Sequence, residues 1–200
     1  MKLPNSYWYF KNAFSIKHCD RILKLCNTKK DQKATVQTVT DGDKLKKIRD
    51  SNVVWLSKQW IYNMLFPFLH LANKEAGWNF EFDYAESCQF TKYKKNQHYN
   101  WHQDSTSPYI NARNENFNGK IRKLSSGLIL SNPEDYKGGE FQFNYNSFPP
   151  NMSKKNIATL TNLSKGSLLC FPSHIWHRVK PVTQGTRYSL TTWYLGKPFK

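Results

Sequence analysis

Acidic residues are scarce in this sequence. Its 200 residues carry 14 Asp and Glu against 30 Lys and Arg, a formal net charge of +16. That imbalance argues against cationic partners and for anionic ones, nucleic acid or small acids, drawn in by long-range attraction. The basic residues are spread along the chain rather than gathered in one tract, so the charge alone marks no nucleic-acid face. Long apolar runs are also missing. The best candidate, residues 64–71, is interrupted by Pro67 and His70, which excludes a membrane-spanning helix there. The opening residues, Met1 to Ser6, lack the apolar core of a secretory signal. A cytoplasmic protein is expected, in the host cytoplasm if the source is viral. Cysteine is sparse too. Cys19, Cys26, Cys88 and Cys170 form no C-x-x-C pair, which leaves reduced core thiols as their reading. No internal repeat and no linker divides the chain, so one domain over residues 1–200 is expected.

What is present is a core-forming composition, 38% hydrophobic and 16% aromatic, enough for a packed interior at this length. Residues 7–14 read as an aromatic, extended opening. Ser15 follows as an N-cap, and Cys19, Ile22, Leu23 and Cys26 recur at helical spacing until residues 29–33 end the helix. Residues 35–39 alternate as a short strand, Asp41-Gly42-Asp43 signals a turn, and residues 53–56 form a compact apolar strand. A second helix should start with Ser57 as cap and bury Trp60, Ile61, Met64, Leu65, Phe68 and Ala72. It should kink at Pro67 and stop at Gly77.

Beyond Gly77 the pattern changes to short strands, at residues 80–82, 88–93, 124–130, 141–145, 167–171, 175–180 and 187–195. Residues 141–145 alternate strictly, as a half-buried strand should. Turns are expected at residues 132–139 and 183–185, a mobile polar loop at 105–120 and a Pro-bearing loop at 147–156. Helices first and strands afterwards give an α+β, mainly β, class. Residues 1–80 would be mostly helical support, packed on one outer face of a sandwich or small barrel formed by residues 81–200.

Of the six histidines, His18 and His70 fall on the helices and read as exposed. His98, His102, His174 and His177 fall among the strands. His102-Gln103-Asp104 sets an imidazole and a carboxylate two residues apart, and in extended backbone such residues face one side. Two donors aimed at one point need a third. His177 shares a face with Ile175 and Val179 and turns toward the core, whereas His174 follows the Pro172-Ser173 turn toward solvent. His102, Asp104 and His177 would then form the 2-His-1-carboxylate triad that binds Fe(II) with open positions.

Arg187 lies ten positions beyond His177 across a Gly-containing turn. On an adjacent antiparallel strand it would approach His177, with Ser189, Thr191 and Trp193 on its own face. A buried arginine needs an anion, and its fork can grip a carboxylate bidentately while a metal chelates the other end of the same small diacid. The blander reading of these residues is a surface H-x-D and an arginine in an ordinary salt bridge.

Three segments carry a family resemblance. They are residues 93–104, residues 132–141 with Tyr136-Lys137-Gly138-Gly139-Glu140, and residues 166–193. The last holds Phe171-Pro172-Ser173, His177-Arg178-Val179, Pro181-Val182-Thr183 and Gly185-Thr186-Arg187-Tyr188-Ser189 in order. Together they resemble the Fe(II)- and 2-oxoglutarate-dependent dioxygenases of the prolyl 4-hydroxylase type, small bacterial and phage hydroxylases included. The resemblance covers about the C-terminal two-thirds of the chain. It implies a double-stranded β-helix (jelly roll, cupin-like) with supporting N-terminal helices. It also implies His102, Asp104 and His177 as iron ligands, Arg187 and Tyr93 as the grip on the far carboxylate of 2-oxoglutarate, and Trp193 as a pocket wall. Asn96 departs from the glycine common in the family, and Asn tolerates the left-handed conformation a turn there needs.

The implied cofactor is Fe(II), with 2-oxoglutarate and O2 as co-substrates and ascorbate as a candidate reductant. The implied reaction releases succinate and CO2 and hydroxylates a C–H bond, the protein supplying orientation and exclusion of water. The expected substrate is a peptidyl residue such as proline, in a peptide or protein, or else a small molecule. Oxidative modification or repair of nucleic acid is the alternative that the charge encourages. Enzymes of that kind usually carry a second arginine six positions beyond the first, where this chain has Trp193. A non-catalytic jelly-roll binding module is the third reading, and the complete ligand set speaks against it. The loops at residues 105–120 and 147–156 should border the entrance and would suit a flexible or acidic substrate.

Overall fold

A computed structural model describes residues 3, 5–36, 41–105, 107–109, 114–145 and 156–199. In chain order these form β1 (Trp8–Phe10), α1 (Ile16–Asn27), β2 (Gln32–Lys33), α2 (Gly42–Ile48), β3 (Arg49–Asp50), β4 (Asn52–Leu56) and α3 (Gln59–Glu75). Then come β5 (Tyr84–Ala85), β6 (Cys88–Tyr93), β7 (His98–His102) and β8 (Ile121–Ile129). A 3-10 turn at Pro133–Asp135 leads into β9 (Tyr136–Gly138) and β10 (Phe141–Asn144). β11 (Ile157–Leu160), β12 (Leu168–Pro172), β13 (Trp176–Val179), β14 (Val182–Gly185) and β15 (Arg187–Gly196) follow. The larger sheet has the order β1-β12-β8-β15-β6-β4-β2, with β5 added against β15. The smaller has the order β11-β10-β13-β7-β3, and β14 pairs with β9 as a separate ribbon. The fold is mainly β with three helices, and its two large antiparallel sheets make the jelly roll that the resemblance implied.

The two-residue period of a strand decides what each face of the larger sheet does. Val54 and Leu56 of β4, Cys88 and Phe90 of β6, Leu124 and Leu128 of β8, Leu168 and Cys170 of β12, and Leu190 and Tyr194 of β15 all belong to one apolar core. Phe14, Cys19, Ile22 and Cys26 around α1, with Ile61, Leu65, Leu69 and Ala72 of α3, complete that core. The alternate residues of the same strands point the other way, toward the smaller sheet. They include Gln89, Thr91, Tyr93, Ser189, Thr191 and Arg187, a row too polar for a structural core. The four cysteines are buried free thiols, as their scattered placement suggested.

The helix ends follow local chemistry. Ser15 caps α1 by accepting a hydrogen bond from the His18 N–H. At the end of α3, Gly77 adopts φ +71°. This lets its N–H reach the Lys74 carbonyl and the Trp78 N–H reach the Asn73 carbonyl, the paired bonds of a Schellman cap. The helix is continuous across Pro67. Ser57 is not its cap: Lys58 holds that position, and the Ser57 hydroxyl pairs with that of Ser87 instead. Asp41-Gly42-Asp43 opens α2 rather than a turn, because the Asp41 carboxylate accepts from the Asp43 and Lys44 N–H groups.

Among the expected strands, residues 80–82 are not one. The side-chain amide of the buried Asn73 takes both backbone groups of Phe80, at 3.0 Å each, in place of a ladder. The strand expected at residues 35–39 lies earlier, at Gln32–Lys33, and residues 37–39 fall outside the described ones. Residues 183–185 pair with β9 instead of forming a free turn. β10 does not alternate in burial, because Gln142 is buried between Thr159 and Arg178, both within 2.7 Å. Of the loop at residues 105–120, the described part is pinned by backbone bonds between Tyr109 and Lys120 and between Gly119 and Tyr109. The loop at 147–156 lies, except for Asn156, outside the described residues.

The Asn73 clamp gives a stability prediction. Asn73→Ala leaves two buried backbone groups of Phe80 unpaired and should cost about 2–3 kcal/mol in urea unfolding. Ser57→Ala, at an exposed pair, should cost under about 0.5 kcal/mol.

Candidate metal centre

β7 and β13 lie side by side in the smaller sheet with His102 directly opposite His177. Register therefore brings the two imidazoles onto one face, their ring centres 4.1 Å apart. Asp104 follows just past the end of β7, where its N–H and that of Ser105 both donate to the Ser173 carbonyl. Its Oδ1 lies 3.6 Å from His102 Nε2 and its Oδ2 3.5 Å from His177 Nε2. One donor atom from each of the three residues falls within 4.8 Å of the others.

Surrounding groups orient these donors. Nδ1 of His102 lies 2.8 Å from the Asn100 carbonyl, and Nδ1 of His177 lies 2.8 Å from the Ile175 carbonyl. A carbonyl only accepts, so each Nδ1 carries the proton and each Nε2 lone pair is free toward Asp104, the arrangement of metal-binding histidines. The Ser125 hydroxyl of β8, in the opposite sheet, donates to Asp104 Oδ2 at 2.7 Å. Tyr99 stacks on the His102 ring, while Phe141 and Phe171 flank that of His177. Burial, then the neighbouring His177, pushes His102 well below its ordinary pKa, so the imidazole stays neutral. Burial alone would raise the Asp104 carboxyl, but His177, His102, Arg122 and the Ser125 hydroxyl outweigh it and hold it below its usual value. Two imidazoles and a carboxylate with an open side fit Fe(II).

The facing wall of the pocket comes from the larger sheet, where Arg187 and Tyr93 are direct cross-strand partners. Arg187 is 2% exposed; among the described residues it makes one hydrogen bond, to the Ser189 hydroxyl, and its Nε is buried without a partner. No carboxylate pairs with it among the described residues. A buried guanidinium lacking its counter-ion is expensive, and here it lines the same pocket as the three donors. Burial raises the Tyr93 pKa despite Arg49 and Arg187 nearby, so its hydroxyl remains a donor. A dicarboxylate co-substrate fits this wall. Gly139 leaves room for Arg187: a Cβ there would meet Arg187 Cδ at 3.0 Å.

Arg187 does not reach His177 across a ladder, as the sequence suggested. β13 pairs with β7 and β10, whereas β15 pairs with β6 and β8. The segment between them is taken up by β14, which pairs with β9, so the chain crosses from one sheet to the other and the two residues line opposite walls. Trp193 lies farther along the pocket face of β15, against Trp55 and beneath the Arg122 guanidinium, 4.0 Å from its ring. Arg122 brings no free charge, because Glu86 answers it through two bonds of 2.5 and 2.7 Å. Asn96 has φ +68°, the left-handed conformation expected of it. His174 is exposed, outside the pocket.

Sequence reasoning missed Arg49, Gln89, Thr91, Tyr99 and Ser125, whereas Ser189 and Thr191 line the pocket beside Arg187 as expected. Gln89, Thr91 and Ser125 carried a signal, polar residues alternating with apolar ones on strands whose other face is core. Arg49 carried none, since Lys46-Lys47-Ile48-Arg49 reads like any basic surface tract.

Residues 88–195 match the family described as the 2OG-Fe(II) oxygenase superfamily. The PKHD-type hydroxylase YbiX of Escherichia coli strain SMS-3-5 is 35% identical over 105 residues, 52% of this chain and 40% of that protein. YbiX of Shigella dysenteriae serotype 1 matches to the same extent. The match thus spans well under half the length of these curated relatives. Among solved structures, a viral collagen prolyl hydroxylase from Paramecium bursaria Chlorella virus-1 superposes with TM-score 0.64 at 18% identity, covering 96% of this chain and 97% of that one. A Pseudomonas putida prolyl-4-hydroxylase gives 0.65 at 17%, covering 97% and 94%. A Trichoplax adhaerens prolyl hydroxylase, in complex with a hypoxia-inducible-factor peptide fragment, gives 0.67 at 19%, covering 95% and 83%. At these identities the likeness is one of fold.

The donor geometry predicts metal affinity directly. The metal-free protein should bind one Mn(II) or Co(II) per chain by calorimetry. Ser125→Ala, which removes the hydroxyl that bonds Asp104 and lies 2.8 Å from the Ser173 hydroxyl, should weaken binding roughly tenfold or more.

Proposed function

The chain belongs to the 2OG-Fe(II) oxygenase superfamily, and we propose that it hydroxylates a C–H bond of a peptidyl residue, proline foremost, with release of succinate and CO2. The observation that carries this reading is the buried, unanswered Arg187 guanidinium facing the His102, Asp104 and His177 donors in one pocket. A pocket built only to be stable would have no use for that charge.

In this reading His102, Asp104 and His177 hold Fe(II), and Arg187 with the Tyr93 hydroxyl grips the far carboxylate of 2-oxoglutarate. When bound, the iron and the keto acid supply the oxidising power that turns O2 into a hydroxylating agent. The protein's own contribution is positional. The Ser125 hydroxyl and the Asn100 and Ile175 carbonyls fix the three donors. Phe141, Phe171 and Val179 exclude water on the His177 side, and Trp193 walls the other end. Residues 1–200 would act as one catalytic domain, with residues 1–80 as largely helical support for the β core at 81–200. The peptide substrate is suggested by the structural relatives named above, whose own names specify prolyl hydroxylation.

The test is succinate release from 2-oxoglutarate by the Fe(II)-loaded protein, followed by a peptide panel read by mass for gain of one oxygen. His177→Ala should abolish release, and Arg187→Ala should reduce kcat/KM for 2-oxoglutarate roughly 100-fold. Normal turnover in either variant overturns the reading.

A further inference from the structure

We propose that Arg49 forms a second anion subsite in the pocket, one that selects substrates carrying a carboxylate close to the group that is oxidised. The inference rests on the functional reading above and names the substrate class of that same site.

Arg49 is 7% exposed and comes from β3, at the edge of the smaller sheet. Its Nη2 donates to Gln89 Oε1, its Nε donates to the Ser51 hydroxyl at 3.2 Å, and its guanidinium lies 4.4 Å from the centre of the Tyr99 ring. Tyr99 in turn stacks on His102. The charge is therefore fixed beside the metal ligands. All these partners are neutral. Among the described residues no carboxylate pairs with Arg49 and no hydrogen bond is made by its Nη1. Burying a guanidinium without an anion is costly even where neutral groups accept from it.

Counting charge gives the ligand class. The charged residues that line the pocket are Arg49, Arg187 and Asp104. A divalent metal brings the positive total to four, and Asp104 with a doubly negative keto acid returns three. One positive charge is left over once metal and co-substrate are in place. Arg187 is taken by the co-substrate, so the surplus falls on Arg49, and a carboxylate on the substrate would neutralise it. Trp55 supports the same assignment. It sits opposite Gln89 in the β4–β6 register, touches Trp193, and is nonetheless 41% exposed. An apolar plate thus stands open next to the residue that Arg49 bonds, suited to the ring or aliphatic part of an amino-acid substrate. The carboxylate could belong to a free amino acid or to an acidic residue in a peptide, and the experiment separates the two.

Two matched pairs serve as probes: free L-proline against L-prolinamide, and a proline peptide with an adjacent Glu against the same peptide with Gln. Wild-type protein should favour the carboxylate member of at least one pair roughly 10- to 100-fold in kcat/KM, the scale of a charge-assisted bond. The first pair reports a free amino acid and the second an acidic peptide. Arg49→Met should erase the preference, and Arg49→Lys should keep part of it. The KM for 2-oxoglutarate should move less than about threefold in both variants. Tryptophan fluorescence titration of the metal-free protein with the favoured probe gives a readout that does not depend on turnover, and thermal unfolding checks that each variant folds. The proposal fails if wild type discriminates in neither pair, or if both members of a pair lose equally in Arg49→Lys. It also fails if Arg49→Met raises the 2-oxoglutarate KM as Arg187→Met does. Absence of succinate release by wild type would instead sink the oxygenase reading itself.

Discussion

The strands of the larger sheet serve two environments at once, and the rest of the structure depends on keeping those faces apart. Side chains alternate across a strand, so β6, β8, β12 and β15 each present apolar residues to α1 and α3 and other residues to the smaller sheet. The helix-facing side supplies the continuous apolar core. Freed from that task, the other side can hold Arg187, Ser189, Thr91 and Gln89, which would weaken any interior built for stability alone. A one-residue slip of β15 against β6 would turn Arg187 into the core and Leu190 into the pocket, so the core itself fixes the register of the site.

The metal-binding donors are held by a similar division of labour. β7 and β13 bring the two histidines together through one register pair, but the carboxylate lies past the end of β7 and needs help. That help comes from the Ser173 carbonyl, which fixes the backbone, and from Ser125 in the facing sheet, which fixes the carboxylate. The Ser125 and Ser173 hydroxyls lie 2.8 Å apart, so three segments distant in sequence meet at one carboxyl group. Any loosening of the sandwich would be felt there first.

Two arginines are buried in this pocket without a carboxylate partner among the described residues, while a third, Arg122, is neutralised by Glu86 a short distance away. The contrast is informative because Arg122, with its side chain 19% exposed, is the least buried of the three and yet has an acid beside it. Where the fold needs an arginine for itself, it provides an acid. Where it provides none, the missing anion is to be looked for among ligands. The sequence-wide excess of Lys and Arg could not make that distinction, because most of those residues lie on the surface and contribute to long-range attraction only.

The sequence by itself determined the elements that rest on local pattern. Among these are α1 with its Ser15 cap, the stop of α3 at Gly77, the strands at residues 88–93 and 187–195, and the triplet His102-Gln103-Asp104 with His177 turned inward. Each is set by a period or a turn that neighbouring residues impose. The pattern misled where one side chain or a remote strand decided between alternatives. The Asn73 amide replaced a strand at Phe80, the Asp41 carboxylate capped α2 where a turn was expected, and β9 captured residues 183–185. Only the tertiary structure decided that Arg187 faces His177 across the sandwich rather than beside it. It alone picked Arg49 out of a basic tract, because whether a charge is buried and unanswered depends on groups that the fold gathers from several strands.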